Sequence, residues 1–316
     1  MWTAVSLAIA YAAIFATYAA WAAARIAAGA PAWPYVLALP LVYAAVPLVF
    51  VTLWFAVAWR FADERPDDAR LDMRGRLRLF LQEFATIAGN SPRMILYRLL
   101  ISEPAPQRSD APVLLIHGVL CNAGVWYPMK RWLEARGVSP IYTLSYGPPL
   151  ASIDVFAQQA ARRIDEVLAD TGARRIVVVA HSMGGLVMRA YLRDHGGGRI
   201  ARLITIATPY EGSVHAWLGT GASLAQMRPG NAWLAALAPV RGDEPPIVSL
   251  WSWHDSMVSP PTSARVPFGE NVEFAGVGHT ALLRNRDVFA RVLEEIEAAT
   301  AAIRNGASGG RPNDAP

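Results

Sequence analysis

The sequence predicts an α/β domain with a mostly parallel sheet covered by helices, preceded by a two-helix transmembrane hairpin. Three observations indicate this fold class: long uncharged segments at the N-terminus, short apolar strands alternating with helices after residue 111, and a strand–serine–helix turn at residue 182. Of the 316 residues, 53% are hydrophobic and only 17% are charged, which is more apolar than an ordinary soluble domain. This composition excludes a disordered chain.

Residues 1–24 and 26–59 carry no charged side chain, and each run is long enough to cross a hydrocarbon layer about 30 Å thick. We therefore expect residues 1–60 to form two transmembrane helices. The turn at 25–32 holds one basic residue, whereas six arginines lie within residues 60–78. Because basic residues favour the cytoplasmic side, both termini and the following domain are predicted to be cytoplasmic, at a bacterial inner membrane.

Residues 61–110 are predicted to form an amphipathic juxtamembrane segment and a linker. Leu77, Phe80, Leu81, Phe84 and Ile87 recur at helical spacing and would share one apolar face. Two interpretations stay open, since this helix would lie either on the bilayer surface or against the following domain. Residues 102–111 are polar and contain proline, as a linker does.

Residues 111–305 carry the alternating pattern of the α/β domain, and residues 306–316 are expected to be a disordered tail. Predicted strands cover 113–118, 140–144, 175–180, 202–208, 246–251 and 271–277. Residues 212–245 separate two strands and are too long for a turn, so we expect a helical cap. Its apolar side chains would suit an acyl chain or would simply pack on the sheet.

The turn after the 175–180 strand has the sequence Ala180-His181-Ser182-Met183-Gly184-Gly185. It departs from G-x-S-x-G only by alanine in the first small position, and this motif places a nucleophilic serine on a sharp strand-to-helix turn. An ordinary helix-capping serine would leave the small residues unexplained. The oxyanion hole needs two backbone N–H groups. We assign them to Met183 and to Val119, with Leu120 as the alternate.

The general base is expected downstream of the serine, with an acid between the two in chain order. His279 follows a strand and precedes the last helix, where a loop can present an imidazole. Asp255 follows the penultimate strand, 73 residues after Ser182 and 24 before His279. Its role would be to fix the imidazole tautomer and stabilise the imidazolium.

Several classes of site receive no support from the sequence. Cys121 is the only cysteine, which excludes an internal disulfide and any multi-cysteine metal site. No block of five basic residues is present, so nucleic-acid binding is not expected. We predict no metal and no cofactor.

With these motifs, residues 110–298 resemble the bacterial lipase/esterase branch of the α/β-hydrolase superfamily. The resemblance rests on residues 112–126, 180–192, 205–213, 254–260 and 276–283. It implies an α/β-hydrolase fold, with Ser182, Asp255 and His279 as a triad and Val119 and Met183 at the oxyanion. Tyr210-Glu211 departs from the His or Asn that many lipases carry after Thr-Pro, at a position that lines the substrate region.

We therefore expect a membrane-anchored serine hydrolase that cleaves lipid or other apolar acyl esters. Its partners would be the lipid bilayer and an apolar ester substrate. Substrate-contacting side chains are predicted at Leu120, Tyr210, Trp217 and Leu218. An acyltransferase or thioesterase with the same triad, or a non-catalytic membrane scaffold, are the alternatives, since fold alone does not decide among them.

Overall fold

The computed structural model describes residues 2–237 and 242–308. Its centre is a six-stranded, fully parallel sheet in the order β2-β1-β3-β4-β5-β6. The strand bounds are β1 Val113–Ile116, β2 Ile141–Leu144, β3 Ile176–His181, β4 Ile200–Ile206, β5 Ile247–Ser252 and β6 Glu270–Phe274. The predicted α/β class with a parallel sheet is confirmed, and most strand boundaries differ from the predictions by one to three residues.

Helices cover both faces of this sheet. They are α6 Tyr127–Glu134, α7 Ile153–Thr171, α8 Met183–His195 and α11 Arg286–Ser308. Alternate strand residues point to opposite faces, so Leu114 and Val178 pack with α7 and α8, whereas Leu115 and Val179 pack with α6 and α11. The central strands are buried on both faces, which explains their uninterrupted apolar sequences.

The N-terminal helices are α1 Trp2–Ala27, α2 Trp33–Leu37 and α3 Leu39–Arg60. The segments Trp2–Ala27 and Trp33–Arg60 are long and apolar enough to cross a bilayer, and their side chains are mostly exposed. Pro47 lies inside α3. These two apolar segments are compatible with a membrane anchor.

The juxtamembrane segment forms α4 Met73–Ile95 and the short α5 Tyr97–Leu100. Its predicted apolar face is partly wrong, because Leu77 and Leu81 are exposed while Leu79 is buried. Phe80, Phe84 and Ile87 do pack with Leu79, against Val51 and Phe55 of α3. Glu83, one turn after Leu79 on the same side of α4, contacts the sheet domain, so this helix packs both on the apolar helices and on that domain.

The segment after β4 contains a 3-10 turn at Val214–Trp217, α9 Ala222–Gln226 and α10 Ala232–Leu237. Asp154 of α7 holds this segment against the sheet domain, because its carboxylate accepts hydrogen bonds from Gln226 Nε2 at 2.9 Å and from Trp233 Nε1 at 2.9 Å. Residues 238–241 of the predicted cap lie outside the described residues. The tail was expected from residue 306, yet α11 continues to Ser308, and residues 309–316 also lie outside the described part.

Candidate active site

Ser182 occupies the sharp turn between β3 and α8. Its backbone has φ +55° and ψ −127°, a conformation that costs a non-glycine residue free energy and is found mainly at functional turns. Two hydrogen bonds hold the turn: Ser182 N–H donates to Ile206 O at 2.8 Å, and Thr208 Oγ1 donates to Ser182 O at 3.0 Å. The side chain is 7% exposed.

The small residues around Ser182 have a steric reason. A Cβ on Gly184 would lie 2.7 Å from the carbonyl oxygens of Ile116 and His117, and one on Gly185 would lie 2.0 Å from Thr208 Oγ1. On the first strand's turn, a Cβ on Gly118 would lie 2.9 Å from Ser182 Cβ. Ala180 is fully buried in the sheet, where its methyl group fits.

The sheet order brings Gly118 and Ser182 together. From β1 the chain moves outward to β2 and then returns to the other side of β1 as β3, so the topology switches between β1 and β3. Ligands of open α/β sheets bind at the carboxyl ends of the strands at such a point. The turns carrying Val119 and Ser182 follow these two carboxyl ends.

Tyr146 holds the peptide that precedes Val119. Its hydroxyl donates to His117 O and lies 3.3 Å from Gly118 O, and its ring stacks on His117 at 4.1 Å. A trans peptide directs its C=O and N–H to opposite sides. With Gly118 O directed to Tyr146, the N–H of Val119 is directed away from it. Sequence reasoning missed Tyr146, for which the only signal was an aromatic residue just after β2.

His279 and Asp255 are in direct contact. Nδ1 of His279 lies 2.9 Å from Oδ2 and 3.0 Å from Oδ1 of Asp255, and both side chains are buried. Asp255 Oδ1 also accepts the N–H groups of Met257 and Val258, both at 2.7 Å. Burial lowers the pKa of His279, but the charge and hydrogen bond of Asp255 outweigh it, so this pKa is raised above 6.5.

His279 reaches the turn of Ser182 through contacts with His181. The two rings are 4.7 Å apart, and His181 Nε2 lies 3.3 Å from His279 O. Among the described residues, no hydrogen bond joins Ser182 Oγ to His279. The structure therefore gathers Ser182, His279 and Asp255 at one edge of the sheet without a hydrogen bond between the Ser182 hydroxyl and the imidazole. In enzymes such hydrogen bonds often form fully only when a substrate binds.

Two contacts from the N-terminal segments reach this site, and neither was predictable from the sequence pattern. Glu83 of α4 is fully buried and accepts hydrogen bonds beside both Asp255 and His279. His215, in the 3-10 turn after β4, directs Nε2 to Trp54 O of α3 at 3.1 Å and stacks on the Trp54 ring at 5.7 Å. The apolar helices thus border the site.

The four predicted substrate contacts have different surroundings. Leu120, with φ +53°, and Trp217 and Leu218 are 54%, 61% and 57% exposed. The Tyr210 side chain packs on the core, and its hydroxyl lies 2.9 Å from Thr205 Oγ1 of β4. That hydroxyl is already paired, so a substrate contact of Tyr210 would involve its ring.

Other titratable groups near the site are poor candidates for the chemistry. Burial raises the pKa of the Cys121 thiol to about 12, which suits a small apolar residue rather than a nucleophile. Burial also lowers the pKa of His117 to about 4. The described residues contain no group of three His, Cys, Asp or Glu side chains that could hold a metal ion.

Comparison with known proteins supports a lipase/esterase-like α/β-hydrolase fold. The model of an alpha/beta hydrolase family matches residues 113–265. Triacylglycerol lipases from Pseudarthrobacter phenanthrenivorans and Burkholderia plantarii are each 30% identical over 109 residues, which is 32% of this chain and 34% and 30% of those proteins. The chain thus spans about a third of the length of these relatives.

Solved structures show the same fold. Mature Bacillus licheniformis lipase BlEst2 superposes with a TM-score of 0.53 at 16% identity, over 60% of this chain and 95% of that one. Aspergillus fumigatus lipase B gives a TM-score of 0.52 at 19% identity, over 64% of this chain and 57% of that one.

Proposed function

We propose that this lipase/esterase-like α/β-hydrolase is a membrane-anchored serine hydrolase of carboxylic esters. The observation that carries the proposal is the strained Ser182 turn at the same sheet edge as the buried His279–Asp255 pair. A strained serine beside an imidazole that a carboxylate orients is the arrangement that acyl transfer through a serine requires.

In the proposed reaction, Ser182 Oγ attacks the ester carbonyl while His279 Nε2 takes the hydroxyl proton. The Val119 and Met183 N–H groups stabilise the negative oxygen of the tetrahedral intermediate. His279 then gives the proton to the leaving alcohol, which departs as the acyl-enzyme forms. Water, deprotonated by His279, hydrolyses the acyl-enzyme and restores Ser182. Asp255 keeps the imidazole in the required tautomer throughout.

The proposed substrates are lipid or other apolar acyl esters that reach the site from the bilayer. Exposed Trp217 and Leu218 lie in the same 3-10 turn region as His215, which contacts Trp54 of the second apolar segment. An acyl chain leaving the bilayer beside α3 would meet these side chains. Detaching residues 1–60 and finding unchanged activity on bilayer-embedded esters would count against this route.

The reaction is tested with the detergent-solubilised full chain and a fluorophosphonate probe. Wild type is expected to label at Ser182 and to hydrolyse a panel of esters, while Ser182→Ala does neither. Ser102→Ala, which changes an exposed serine in the linker, serves as the matched control. Adding glycerol or coenzyme A as acceptors separates hydrolysis from acyl transfer. Ester hydrolysis by Ser182→Ala at the wild-type rate would overturn the proposal.

The proposed topology is two-pass with the catalytic domain in the cytoplasm. In a Cys121→Ser background, Ala30→Cys should react with a membrane-impermeant maleimide added outside spheroplasts, and Arg70→Cys should react only after lysis. The opposite labelling would reverse the orientation. Equal labelling of both positions in intact spheroplasts would exclude the two-pass arrangement.

A further inference from the structure

Glu83 is a carboxylate with 0% exposure, contributed to the hydrolase domain by α4. Burying a carboxylate is costly unless other groups compensate its charge. Within the described part of the chain, Glu83 forms no ion pair with a lysine or arginine. Donated hydrogen bonds compensate it instead.

The four donors come from the two loops that carry Asp255 and His279. Oε1 accepts from Ser256 Oγ, from Thr280 N–H and from Thr280 Oγ1, each at 2.9 Å. Oε2 accepts from the N–H of Ala281 at 2.9 Å. Ser256 directly follows Asp255 and Thr280 directly follows His279, so one carboxylate bridges the acid loop and the base loop.

The fit around this carboxylate is close. A Cβ on Gly278 would lie 2.4 Å from Glu83 Oε2, so the base loop approaches Glu83 closely only because residue 278 is glycine. Ser256 Oγ also accepts the His279 N–H at 3.4 Å. Ser256 therefore links Glu83 to the backbone of His279 as well as to the acid loop.

We propose that Glu83 is a positioning residue that fixes the separation of the Asp255 and His279 loops. This role rests on the proposed serine-hydrolase chemistry. Because α4 also packs on α3 through Leu79, one turn before Glu83 on the same side of the helix, the helix that bridges the two loops is also in contact with the proposed anchor. The juxtamembrane helix would then be part of the active site rather than a spacer.

Charge gives the role a specific signature. The titratable groups that face His279 are Asp255 beside it, Glu83 from α4, His181 from β3 and His215 after β4. Burial raises the pKa of Glu83, and the donated hydrogen bonds and His279 oppose that rise. In turn, the Glu83 charge raises the pKa of His279, after the larger contribution of Asp255.

Glu83→Gln tests the role in the solubilised full chain. We expect kcat to fall at least about tenfold, because a misplacement of catalytic groups by about 1 Å can lower the reaction rate by that factor or more. The acid limb of the kcat/KM profile should move to lower pH, because the charge behind His279 is gone. Glu83→Asp keeps the charge, so it should lower kcat yet leave the acid limb near its wild-type position.

Thr86→Val is the matched control, since Thr86 is buried one turn along α4 and bonds only to Gln82 O of its own helix. It should lower the unfolding temperature without moving the acid limb. If Glu83→Gln behaves like Thr86→Val, with an unmoved limb and unchanged kcat, Glu83 is only structural and the proposal is wrong. If Ser182→Ala retains activity, the proposed function itself has failed, which is a separate result.

A second inference comes from a cavity of about 590 Å³ where α3 ends against the hydrolase domain. Three arginines, Arg65, Arg70 and Arg76, line it together with Trp59 and His254, and Asp63 is the only acidic group in the lining. The carboxylate of Asp63 already accepts two hydrogen bonds through Oδ2, from Thr262 N–H at 3.1 Å and from Thr262 Oγ1 at 2.5 Å.

Two of these arginines have no carboxylate within ion-pair distance in the described part of the chain, although Arg65 Nε donates to Trp253 O at 2.9 Å. Arg70 pairs with Asp67 at 3.0 Å, whereas neither Arg65 nor Arg76 forms an ion pair within the residues that the structure describes. Burial, and then the charge of Arg76, lower the pKa of Arg65, and the charge of Asp63 opposes them without outweighing them. Burial and the two arginines also lower the pKa of His254 to about 4, so His254 adds no charge at neutral pH.

The cavity begins at the last turn of the second apolar segment, which ends at Arg60. Trp59 is 60% exposed there, as tryptophans at a membrane–water interface are. If α3 spans the bilayer as proposed, this is the level of the lipid phosphates. We propose that the cavity binds the phosphate group of an anionic lipid through Arg65 and Arg76.

Native mass spectrometry in detergent with short-chain phosphatidylglycerol tests the site. Wild type is expected to retain one lipid, and Arg65→Gln/Arg76→Gln to bind it about tenfold or more weakly. Arg74→Gln/Arg78→Gln removes the same charge from exposed positions of α4 outside the cavity and should bind like wild type. Equal loss in both variants would overturn the proposal. So would inorganic phosphate that binds as tightly and displaces the lipid, because the ligand would then be soluble.

Discussion

The Nδ1–H of His279 donates to Asp255, 2.9 Å from Oδ2, in a setting where both side chains are buried. This bond leaves Nε2 of the neutral imidazole as the ring nitrogen that can accept a proton. The predictions for the proposed base therefore follow from this pair.

Asp255→Asn should reduce kcat on the order of ten-thousand-fold with little change in KM, because the amide can stabilise the wrong imidazole tautomer and cannot balance the imidazolium. Steady-state hydrolysis of a water-soluble ester measures both constants. Asp165→Asn, at an exposed position of α7, is the control and should match wild type. A loss of less than tenfold in Asp255→Asn would remove Asp255 from the proposed triad.

The pH profile of the wild type should show an acid limb with its midpoint above 6.5, because the pKa of His279 is raised by Asp255 and only neutral imidazole accepts the serine proton. Activity is thus present above this pKa and is lost as the pH falls through it. The measurement is kcat/KM between pH 4 and 9 with an ester that does not ionise. A midpoint at or below 6.5 contradicts the account.

Gly184→Ala should lower stability by about 1–3 kcal/mol and also reduce activity, because its Cβ would meet two backbone carbonyl oxygens that cannot withdraw easily. Differential scanning fluorimetry in detergent and ester hydrolysis report the two effects. Gly198→Ala is the control, since a Cβ there would meet nothing within 4 Å. Wild-type stability and activity in Gly184→Ala would show that the turn tolerates a larger residue.

Trp217→Ala/Leu218→Ala should reduce kcat/KM at least about tenfold for long-chain esters and hardly at all for acetyl esters, because the two side chains provide apolar contact area for a long chain. Kinetics on p-nitrophenyl esters of increasing length reveal the trend. Val155→Ala, an exposed apolar position on α7, is the matched control. An equal loss for all chain lengths would argue for a structural role of the pair.

The parallel sheet and the strained turn were predictable because their signals are local. Six short apolar segments predict the six strands. The small residues from Ala180 to Gly185 predict the sharp turn, in which Ser182 has φ +55° in the structure. Chain order predicts Asp255 and His279, and they lie in contact in the structure because the loops after neighbouring strands β5 and β6 meet at one edge. Their catalytic roles stay predictions.

What the sequence did not reveal depends on contacts between distant segments. Glu83 meets Thr280 across 197 positions, and nothing in the pattern of an Arg-rich amphipathic helix indicates that its one acidic residue is buried. Leu79 and Glu83 lie one turn apart on α4 and are both buried, Leu79 against α3 and Glu83 against the hydrolase domain, whereas Leu77 and Leu81 are exposed.

The most direct test of the account is to trap the acyl-enzyme. Full-length protein is mixed with a p-nitrophenyl ester, quenched in acid within the first turnover, digested and analysed by mass spectrometry. We predict one acyl group on the peptide that contains Ser182, and none in Ser182→Ala. An acyl group on another residue, or turnover without any acylated peptide, would contradict a serine hydrolase that works through Ser182.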